Sequence, residues 1–455
     1  MKNSAADPST SDDSYRRTVL DNGMVVITEA LPFVRSVALG VWSLAGSRDE
    51  RPGAEGTAHF LEHMFFKGTE KRSAFDIAYE LERLGGFLNA FTAKDHTCYF
   101  ARILDEHLPV AVDVLSDMIQ NAVLDPQELE KEKQVVQEEI KTSIDTPDEW
   151  VHELFLMDLY GGHPLAHPVL GGEKTVSFLS SEDLREFVYQ RYRPDNILVA
   201  AAGSLEHDQV VELVSESFVH LNPDAVKPRH PMQPDGRGSI ELHPRDISQA
   251  HVILGGRGLH YLHDDRYILA VLMNLLAGGM SSRLFQSLRE ERGLVYTISA
   301  VTSFFEETGT VGFYFACAPE NTALALNLIH EELNTINAGK KVDEEELTSA
   351  KEQVKGHLML ALENTFNRMS RLAKGLLFED RIVSLDEILT NLEAVTGTDL
   401  SRVTGELMAP EMLTTTMLGA VDGIGNRAVG ATTEGETRQL PSTQRGAGGF
   451  GSTGH

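Results

Sequence analysis

Hydrophobic and polar positions follow each other along the chain in patterns that predict strands and helices in turn. The run VALGVWSLAG (37–46) is apolar and rich in β-branched and aromatic residues, which is typical of a buried strand. FLNAFTAKDHTCYFARIL (87–104) has the composition of two further strands with a polar turn between them, and HLPVAVDVLSDMIQ (107–120) has the apolar spacing of an amphipathic helix. We therefore expect an α+β fold.

Two consecutive segments of the chain recur in the same order. CYFARILDEHLPVAVDVL (98–115) resembles FYFACAPENTALALNLI (313–329), each combining an aromatic strand, an acidic turn and an Ala/Val/Leu helix. DPQELEKEKQVVQEEI (125–140) resembles DEEELTSAKEQVKGHL (343–358). Chance similarity between amphipathic helices is the alternative explanation, but the shared order favours a duplication. The chain is predicted to contain two copies of one α/β unit, each a sheet with helices packed on it.

Changes in composition give the expected domain boundaries. Both ends lack apolar periodicity and are rich in small polar residues, and a proline-rich stretch lies between the two repeats. We predict disordered tails, two domains and a linker at the following positions: tail 1–13, first domain 14–222, linker 223–238, second domain 239–425, and tail 426–455.

The net charge and the composition limit the classes of binding partner and the cellular compartments that we expect for the protein. The formal charge of −28 argues against nucleic acid and anionic membranes as partners and leaves room for basic or peptidic ligands. Two cysteines, Cys98 and Cys317, do not make a disulfide framework. The segment MKNSAADPSTSDD has neither the hydrophobic run of a signal peptide nor the acid-poor character of a transit peptide, and no apolar run is long enough to cross a bilayer. A cytoplasmic location is the simplest expectation.

The stretch AHFLEHMFFKGTEK places three ionisable groups, His59, Glu62 and His63, on one predicted helix. Residues four apart share a helix face, so both imidazoles can bind one ion, with the glutamate beside them. A catalytic zinc needs a third protein ligand and an open position for water. The alternative is a pair of hydrogen-bonded histidines and a surface glutamate on a core helix, and HxxEH alone also occurs by chance.

A later helix offers candidates for the third ligand. Its apolar stripe Leu129, Val136 and Ile140 also carries Glu132 and Glu139, seven residues apart on about the same side. A carboxylate on a core-facing stripe is costly unless a cation compensates it. Alternatively, both glutamates belong to the solvated face of an acidic helix.

HFLEH together with Glu139, which follows His63 by 76 residues, resembles the inverted zincins: pitrilysin, insulin-degrading enzyme and mitochondrial processing peptidase. The resemblance includes the context GTAHFLEHMFFKGT and covers about residues 15–425, and it is closest to short bacterial members similar to the processing-peptidase β subunit. It implies a clamshell of two homologous domains, the second without zinc. It also implies an endopeptidase with one Zn²⁺ per chain that cleaves unfolded peptides of limited length.

The resemblance assigns roles to the ionisable cluster. His59, His63 and Glu139 are expected to hold the metal, and Glu62 is expected to act as the general base. Glu132 is expected to contact one of the metal ligands without binding the metal itself, and so to orient that ligand or tune the site. A metal-free scaffold and a zinc hydrolase of non-peptide amides or esters are the competing functions, and metal analysis combined with a peptide cleavage assay separates them.

The resemblance also points to four residues outside the cluster. Asn89 and Ala90 are expected to bind substrate, because the family receives a peptide as an added strand at this edge. Arg289 and Tyr296, in SLREERGLVYTISA, match a family pair that holds substrate and stabilises the oxyanion. The alternatives are a turn residue for Asn89, and an exposed arginine and a core tyrosine for the pair. A single chain with all these features implies a homodimer.

Two acidic residues follow the proposed zinc ligand on the next predicted helix. Glu149 and Glu153 lie ten and fourteen residues beyond Glu139, where the processing-peptidase β subunit has acidic residues that bind a substrate arginine. We therefore expect a preference for a basic residue near the scissile bond. The alternative is that acids in the first turns of a helix that starts at Pro147 stabilise its dipole.

Overall fold

The computed structural model describes most of the chain, namely residues 15–222, 229, 238–339 and 342–421. The predicted tails, residues 1–13 and 426–455, and all of the predicted linker except residues 229 and 238 lie outside the described residues. None of the described helices combines the length and the apolar character needed to span a membrane.

The described residues form eleven strands and fourteen α-helices. The strands are β1 Tyr15–Val19, β2 Val25–Ala30, β3 Ser36–Ser43, β4 Phe87–Thr92, β5 Thr97–Leu104, β6 Ile197–Gly203, β7 Ile240–Pro244, β8 Ala250–Gly258, β9 Val295–Phe304, β10 Gly309–Cys317 and β11 Thr414–Gly419. The helices are α1 Thr57–Phe65, α2 Ala74–Glu82, α3 Leu108–Asn121, α4 Pro126–Asp145, α5 Pro147–Tyr160, α6 Glu173–Phe178, α7 Ser181–Arg191, α8 His207–Ser217, α9 Arg266–Ala277, α10 Thr322–Asn337, α11 Glu344–Ala361, α12 Thr365–Glu379, α13 Leu385–Ala394 and α14 Gly397–Leu407.

The strands form two sheets with the same topology. The first has the order β1-β2-β6-β3-β5-β4, and the second has the order β7-β11-β8-β10-β9. In each sheet one pair is parallel, β2 with β6 and β7 with β11, and the equivalent remaining pairs are antiparallel. The sequence repeat is therefore confirmed as a structural repeat, with β1 as an addition to the first copy. We call β1–β6 with α1–α8 the N-terminal half, and β7–β11 with α9–α14 the C-terminal half.

The predicted elements are found close to their expected positions. The apolar run at 37–46 forms β3, the two strands at 87–104 are β4 and β5, and the amphipathic segment at 107–120 forms α3. The helix that carries the glutamates, α4, begins after Asp125, whose Oδ1 accepts the backbone N–H groups of Gln127 at 2.7 Å and Glu128 at 3.1 Å. Capping by an aspartate followed by a proline at the first helical position explains this boundary.

Alternate residues of a strand point to opposite sides of its sheet, and in both sheets the residues on both sides are apolar. In β3, Val37, Leu39 and Val41 pack under helices of the N-terminal half, among them α1 and α3. Ala38 and Trp42 belong to a separate apolar cluster on the other face. A sheet with two apolar faces needs a cover on each of them.

Each half contributes one helix that covers the outer face of the sheet in the other half. Helix α12 of the C-terminal half packs Met369, Leu372 and Ala373 against the outer face of the N-terminal sheet. Helix α5 of the N-terminal half packs Val151 and Phe155 against the outer face of the C-terminal sheet. Apolar burial therefore holds the two halves together.

Buried charges also connect the halves at the tips of two hairpins. Arg48, after β3, donates to Asp95 in the β4–β5 turn at 2.8 Å and to Glu307 in the β9–β10 turn at 2.7 Å. Arg229, from the predicted linker, donates to Asp49 at 2.9 Å. Since Arg48 and Asp95 are almost fully buried, loss of either would leave the remaining buried charges of this network with fewer partners.

We expect truncation of the α12 contact to destabilise both halves together. Leu372→Ala creates a cavity in a fully buried cluster and should lower the free energy of unfolding by about 2–5 kcal/mol. The change is measured by urea denaturation, followed by the fluorescence of Trp42 and Trp150, which lie on opposite sides of the exchange. The exposed Leu360→Ala is the control and should change stability by at most about 0.5 kcal/mol. Two separate transitions would contradict cooperative folding of the halves.

Candidate metal centre and active site

Helix α1 divides its residues between the core and the proposed site. Phe60, Leu61 and Met64 are fully buried among the residues of the N-terminal core. His59 and His63, four residues apart, lie next to each other, with ring centroids 4.6 Å apart and ring planes inclined by 62°. The amphipathic spacing of this helix therefore places both imidazoles at one location, as the sequence predicts.

The start of α1 is fixed by a residue that the sequence analysis did not identify. Gly56, at the N-cap, has a φ of 97° and offers no side chain to cap the helix. Instead, the buried carboxylate of Glu50 accepts the backbone N–H groups of Gly56 at 2.8 Å and of Ala58 at 2.7 Å. Glu50 thus satisfies amide groups next to His59, and the six- and eight-residue separations match no standard capping pattern.

Glu139 of α4 reaches the two histidines. Its Oε2 lies 3.5 Å from Nε2 of His63 and 3.9 Å from Nε2 of His59. The three ligand atoms lie within 4.8 Å of one another, and no other such group of three occurs in the described residues. We call His59, His63 and Glu139 the triad.

The neutral state of His59 and the missing hydrogen-bond partner of Glu139 fit a bound cation. Burial, with a contribution from the charge of His63, lowers the pKa of His59 to about 3, so that His59 is neutral and has a free lone pair. Oε2 of Glu139 is buried and accepts no hydrogen bond. A buried carboxylate oxygen without a partner is costly, and a divalent cation between it and two imidazoles would remove the cost. Two histidines and one carboxylate also form a ligand set typical of catalytic zinc.

Glu132 lies behind His63 and not in the triad. Its Oε1 is 2.8 Å from Nδ1 of His63, and its Oε2 is 2.5 Å from Nζ of Lys67. Burial opposes the carboxylate form, but the bonds from His63 and Lys67 outweigh it and lower the pKa of Glu132. An ionised Glu132 that accepts from Nδ1 leaves Nε2 of His63 free to point into the triad.

Glu62 lies beside the triad on α1. Its Oε2 accepts a hydrogen bond from the hydroxyl of Thr92, the last residue of β4. Burial is the largest influence and raises the pKa of Glu62, with the Thr92 bond and the charge of His63 acting in the opposite direction. A carboxylate whose pKa is raised in this way is a suitable proton acceptor.

The chain is similar to known proteins along most of its length. Residues 25–173 match the profile of the insulinase family (peptidase family M16), and residues 179–354 match that of the peptidase M16 inactive domain. A chain of Streptomyces coelicolor named an uncharacterized zinc protease is 40% identical over 404 residues, which cover 87% of each chain. The similarly named YmxG of Bacillus subtilis is 41% identical over 390 residues, which cover 86% of this chain and 94% of YmxG.

The chain belongs to peptidase family M16. Among solved structures, a protease from Helicobacter pylori matches with a TM-score of 0.84 at 24% identity and covers 89% of this chain and 99% of its own. A peptidase M16 inactive domain structure from Pseudomonas fluorescens matches with a TM-score of 0.82 at 18% identity and covers 89% and 98%. At these identities both structures support the fold, including the predicted clamshell of two homologous domains.

In this M16 chain the site borders a sheet edge. Among the described residues, strand β4 pairs only with β5, and no strand pairs with its other edge. Asn89 is exposed, and its Oδ1 accepts the N–H of Ala90 at 2.9 Å. Asn89 lies within the strand, so the alternative that it is a turn residue is wrong. The Asn89 side chain therefore occupies the N–H of Ala90, a backbone donor that a peptide added at this edge would use.

The Arg289 and Tyr296 pair is not joined to the triad. Arg289 lies in the short helical segment Phe285–Glu290, with its guanidinium 4.7 Å from the ring centroid of Phe285 and 5.9 Å from that of Tyr296. Tyr296 is 72% exposed, so the alternative of a core tyrosine is wrong. Within the described part of the chain, no hydrogen bond, ion pair or ring contact links either residue to the N-terminal half.

The two acidic residues of α5 have different surroundings. Glu149 is exposed in the first turn of α5. Glu153 is partly buried, and its Oε2 accepts from Nζ of Lys94 at 3.1 Å, while the same ammonium group donates to the carbonyl of His167 at 2.5 Å. Lys94 therefore compensates the charge of Glu153, which the sequence analysis did not foresee.

Proposed function

We propose that the chain is a zinc-dependent endopeptidase that cleaves unfolded peptides of limited length through a metal-activated water. The observation that carries the proposal is the triad with its unpartnered Glu139 oxygen and Glu62 beside it. Membership of family M16 and the zinc-protease names of its relatives support the same chemistry. The triad would hold one zinc ion per chain.

Each residue of the site has a distinct task in this mechanism. Zinc, when bound, would lower the pKa of a water molecule and polarise the scissile carbonyl. Glu62 would accept the proton of that water on Oε1, the oxygen that Thr92 does not bind, and would deliver it to the leaving amine. Glu132 would keep Nδ1 of His63 protonated and its ring oriented.

The free edge of β4 would hold the substrate. An extended peptide can add to this edge by backbone hydrogen bonds, with the Asn89 amide turning from the Ala90 N–H to the peptide. A folded protein cannot offer an extended strand to an edge within a clamshell. We therefore propose unfolded peptides as the substrate class.

The position of the C-terminal half supports a homodimer. Helix α12 attaches this half to the face of the N-terminal sheet opposite to α1, and therefore opposite to the triad. Arg289 and Tyr296 are exposed and contact no triad residue. We propose that they complete the site of a second copy, where the pair would hold the substrate and stabilise the oxyanion.

A basic residue near the scissile bond remains our proposal for specificity. Glu149 is exposed and in reach of a ligand, whereas Glu153 already binds Lys94. Glu149 would therefore contribute the larger part of the attraction for a guanidinium, and Glu153 the smaller part. The net charge of −28 would attract basic peptides over longer distances.

Substitutions should separate the loss of the base from the loss of the metal. Glu62→Gln should keep about one zinc ion per chain but lower the turnover number at least about 100-fold, because the proton acceptor is lost. His63→Ala should lower both zinc content and turnover. Both quantities are measured by metal analysis and by mass spectrometry of cuts in an unfolded peptide library.

The exposed Glu70→Gln, five residues from the motif helix, is the matched control and should behave like wild type. Chelation should remove activity, and added zinc should restore it. Wild-type turnover in Glu62→Gln would contradict the proposed role of the base, and a chain that binds no zinc would contradict the proposed function.

Mixing two inactive variants tests the shared site. If a site combines Glu62 of one copy with Arg289 of another, Glu62→Gln and Arg289→Ala chains restore one intact site in each mixed dimer. At full exchange the mixture should regain about a quarter of the wild-type activity, since half of the dimers are mixed and half of their sites are intact. Activity no higher than the average of the two variants would place both residues in one chain's site.

A matched peptide pair tests the basic preference. A peptide with arginine at the position preceding the cleaved residue should be cleaved about tenfold faster than the same peptide with norleucine at that position. The rates are compared as kcat/KM. Glu149→Gln should remove most of this difference, and the exposed Glu138→Gln on α4 should keep it. Equal rates for the two peptides in wild type would disprove the preference.

A further inference from the structure

The end of β4 faces the proposed base. Alternation along the strand places Leu88 and Ala90 against the core that contains α1, and Phe91 against the opposite cluster that contains Trp42. Thr92, two residues after Ala90, therefore points towards α1.

Thr92 makes a direct contact with the base. Its Oγ1 donates to Oε2 of Glu62 at 2.5 Å. The described residues provide no hydrogen-bond partner for the second oxygen, Oε1. One carboxylate oxygen is thus held by the strand while the other stays open, and the bond fixes the rotation of the carboxylate group about its last torsion.

The backbone that carries Thr92 is itself held firmly. Thr92 pairs with Thr97 of β5, and the hydroxyl of Thr97 donates to the carbonyl of Ala45 at 2.8 Å. In the turn that follows, Asp95 accepts from Arg48 at 2.8 Å. Thr92 is also β-branched, which restricts its side-chain rotamers. The hydroxyl therefore approaches Glu62 from a defined position.

We propose that Thr92 is a positioning residue that orients Glu62 for peptide cleavage. The inference rests on the proposed function and extends it. Strand β4 then has two tasks, since it receives the peptide at its free edge near Ala90 and holds the base at its end through Thr92. The scissile carbonyl and the proton acceptor are both placed relative to one rigid backbone, which is the kind of alignment on which turnover depends.

Two substitutions distinguish the effect of the Thr92 hydroxyl from the effect of the shape of its side chain. Thr92→Val keeps the β-branched shape and removes the donor, while Thr92→Ser keeps the donor. Thr92→Val should lower kcat about 10- to 100-fold with KM within about twofold of wild type, because the base is misaligned but the peptide edge is intact. Thr92→Ser should recover most of kcat, and both variants should bind zinc like wild type.

A control and a second measurement make the test specific. Thr404→Val removes a buried hydroxyl of α14, which donates to the carbonyl of Leu400 at 2.7 Å far from Glu62, and should leave kcat within about twofold of wild type. Crystal structures of the metal-free chains should show Glu62 in one orientation in wild type and Thr92→Ser, and displaced or in several orientations in Thr92→Val.

Three outcomes would overturn the inference: kcat of Thr92→Val within about twofold of wild type, equal losses in the valine and serine variants, or an unmoved Glu62 in the Thr92→Val crystal. If wild type cleaves no peptide, the proposed function fails, and the diffraction comparison still decides whether Thr92 orients Glu62.

Discussion

The exchange of α5 and α12 between the two sheets is the constraint on which the rest of the structure depends. Each sheet is apolar on both faces, and in each case a helix from the other half covers the outer face. Helix α5 follows α4 after a single residue, Thr146, so that burial of Val151 and Phe155 on the C-terminal sheet also anchors the end of the helix that carries Glu139. The packing between the halves thus supports the position of Glu139.

The site concentrates carboxylates and leaves one of them uncompensated. Glu132 is compensated by His63 and Lys67, and Glu62 accepts from Thr92. Oε2 of Glu139 has no such partner, although it is buried beside two imidazoles. Since a buried carboxylate oxygen without a partner is unfavourable, a cation bound here would be stabilised most by this oxygen.

Duplication explains why one half carries the chemistry and the other completes the fold. The two sheets share their topology, yet α9 and α11 of the C-terminal half, at the positions of α1 and α4, carry no group comparable to the triad within the described residues. In the aligned repeat Glu132 corresponds to Ala350 and Glu139 to His357. Ala350 is buried in an apolar core, so at this position the second copy has a packing residue where the first has a carboxylate.

The sequence by itself determined the repeat, the positions of the strands and helices, and the triad with Glu62 and Glu132. The repeat and the elements depend on local periodicity and caps, whereas the choice of Glu139 for the triad rests on the resemblance of its spacing from HFLEH to the inverted zincins. Only the tertiary structure decided which partners meet across long separations. The capping of α1 by Glu50, the orientation of Glu62 by Thr92, the neutralisation of Glu153 by Lys94 and the exposure of Tyr296 belong to this group. Their partners come from different elements, and a single sequence carries no periodicity that reports such a contact, because the fold brings them together through the packing of sheets and helices.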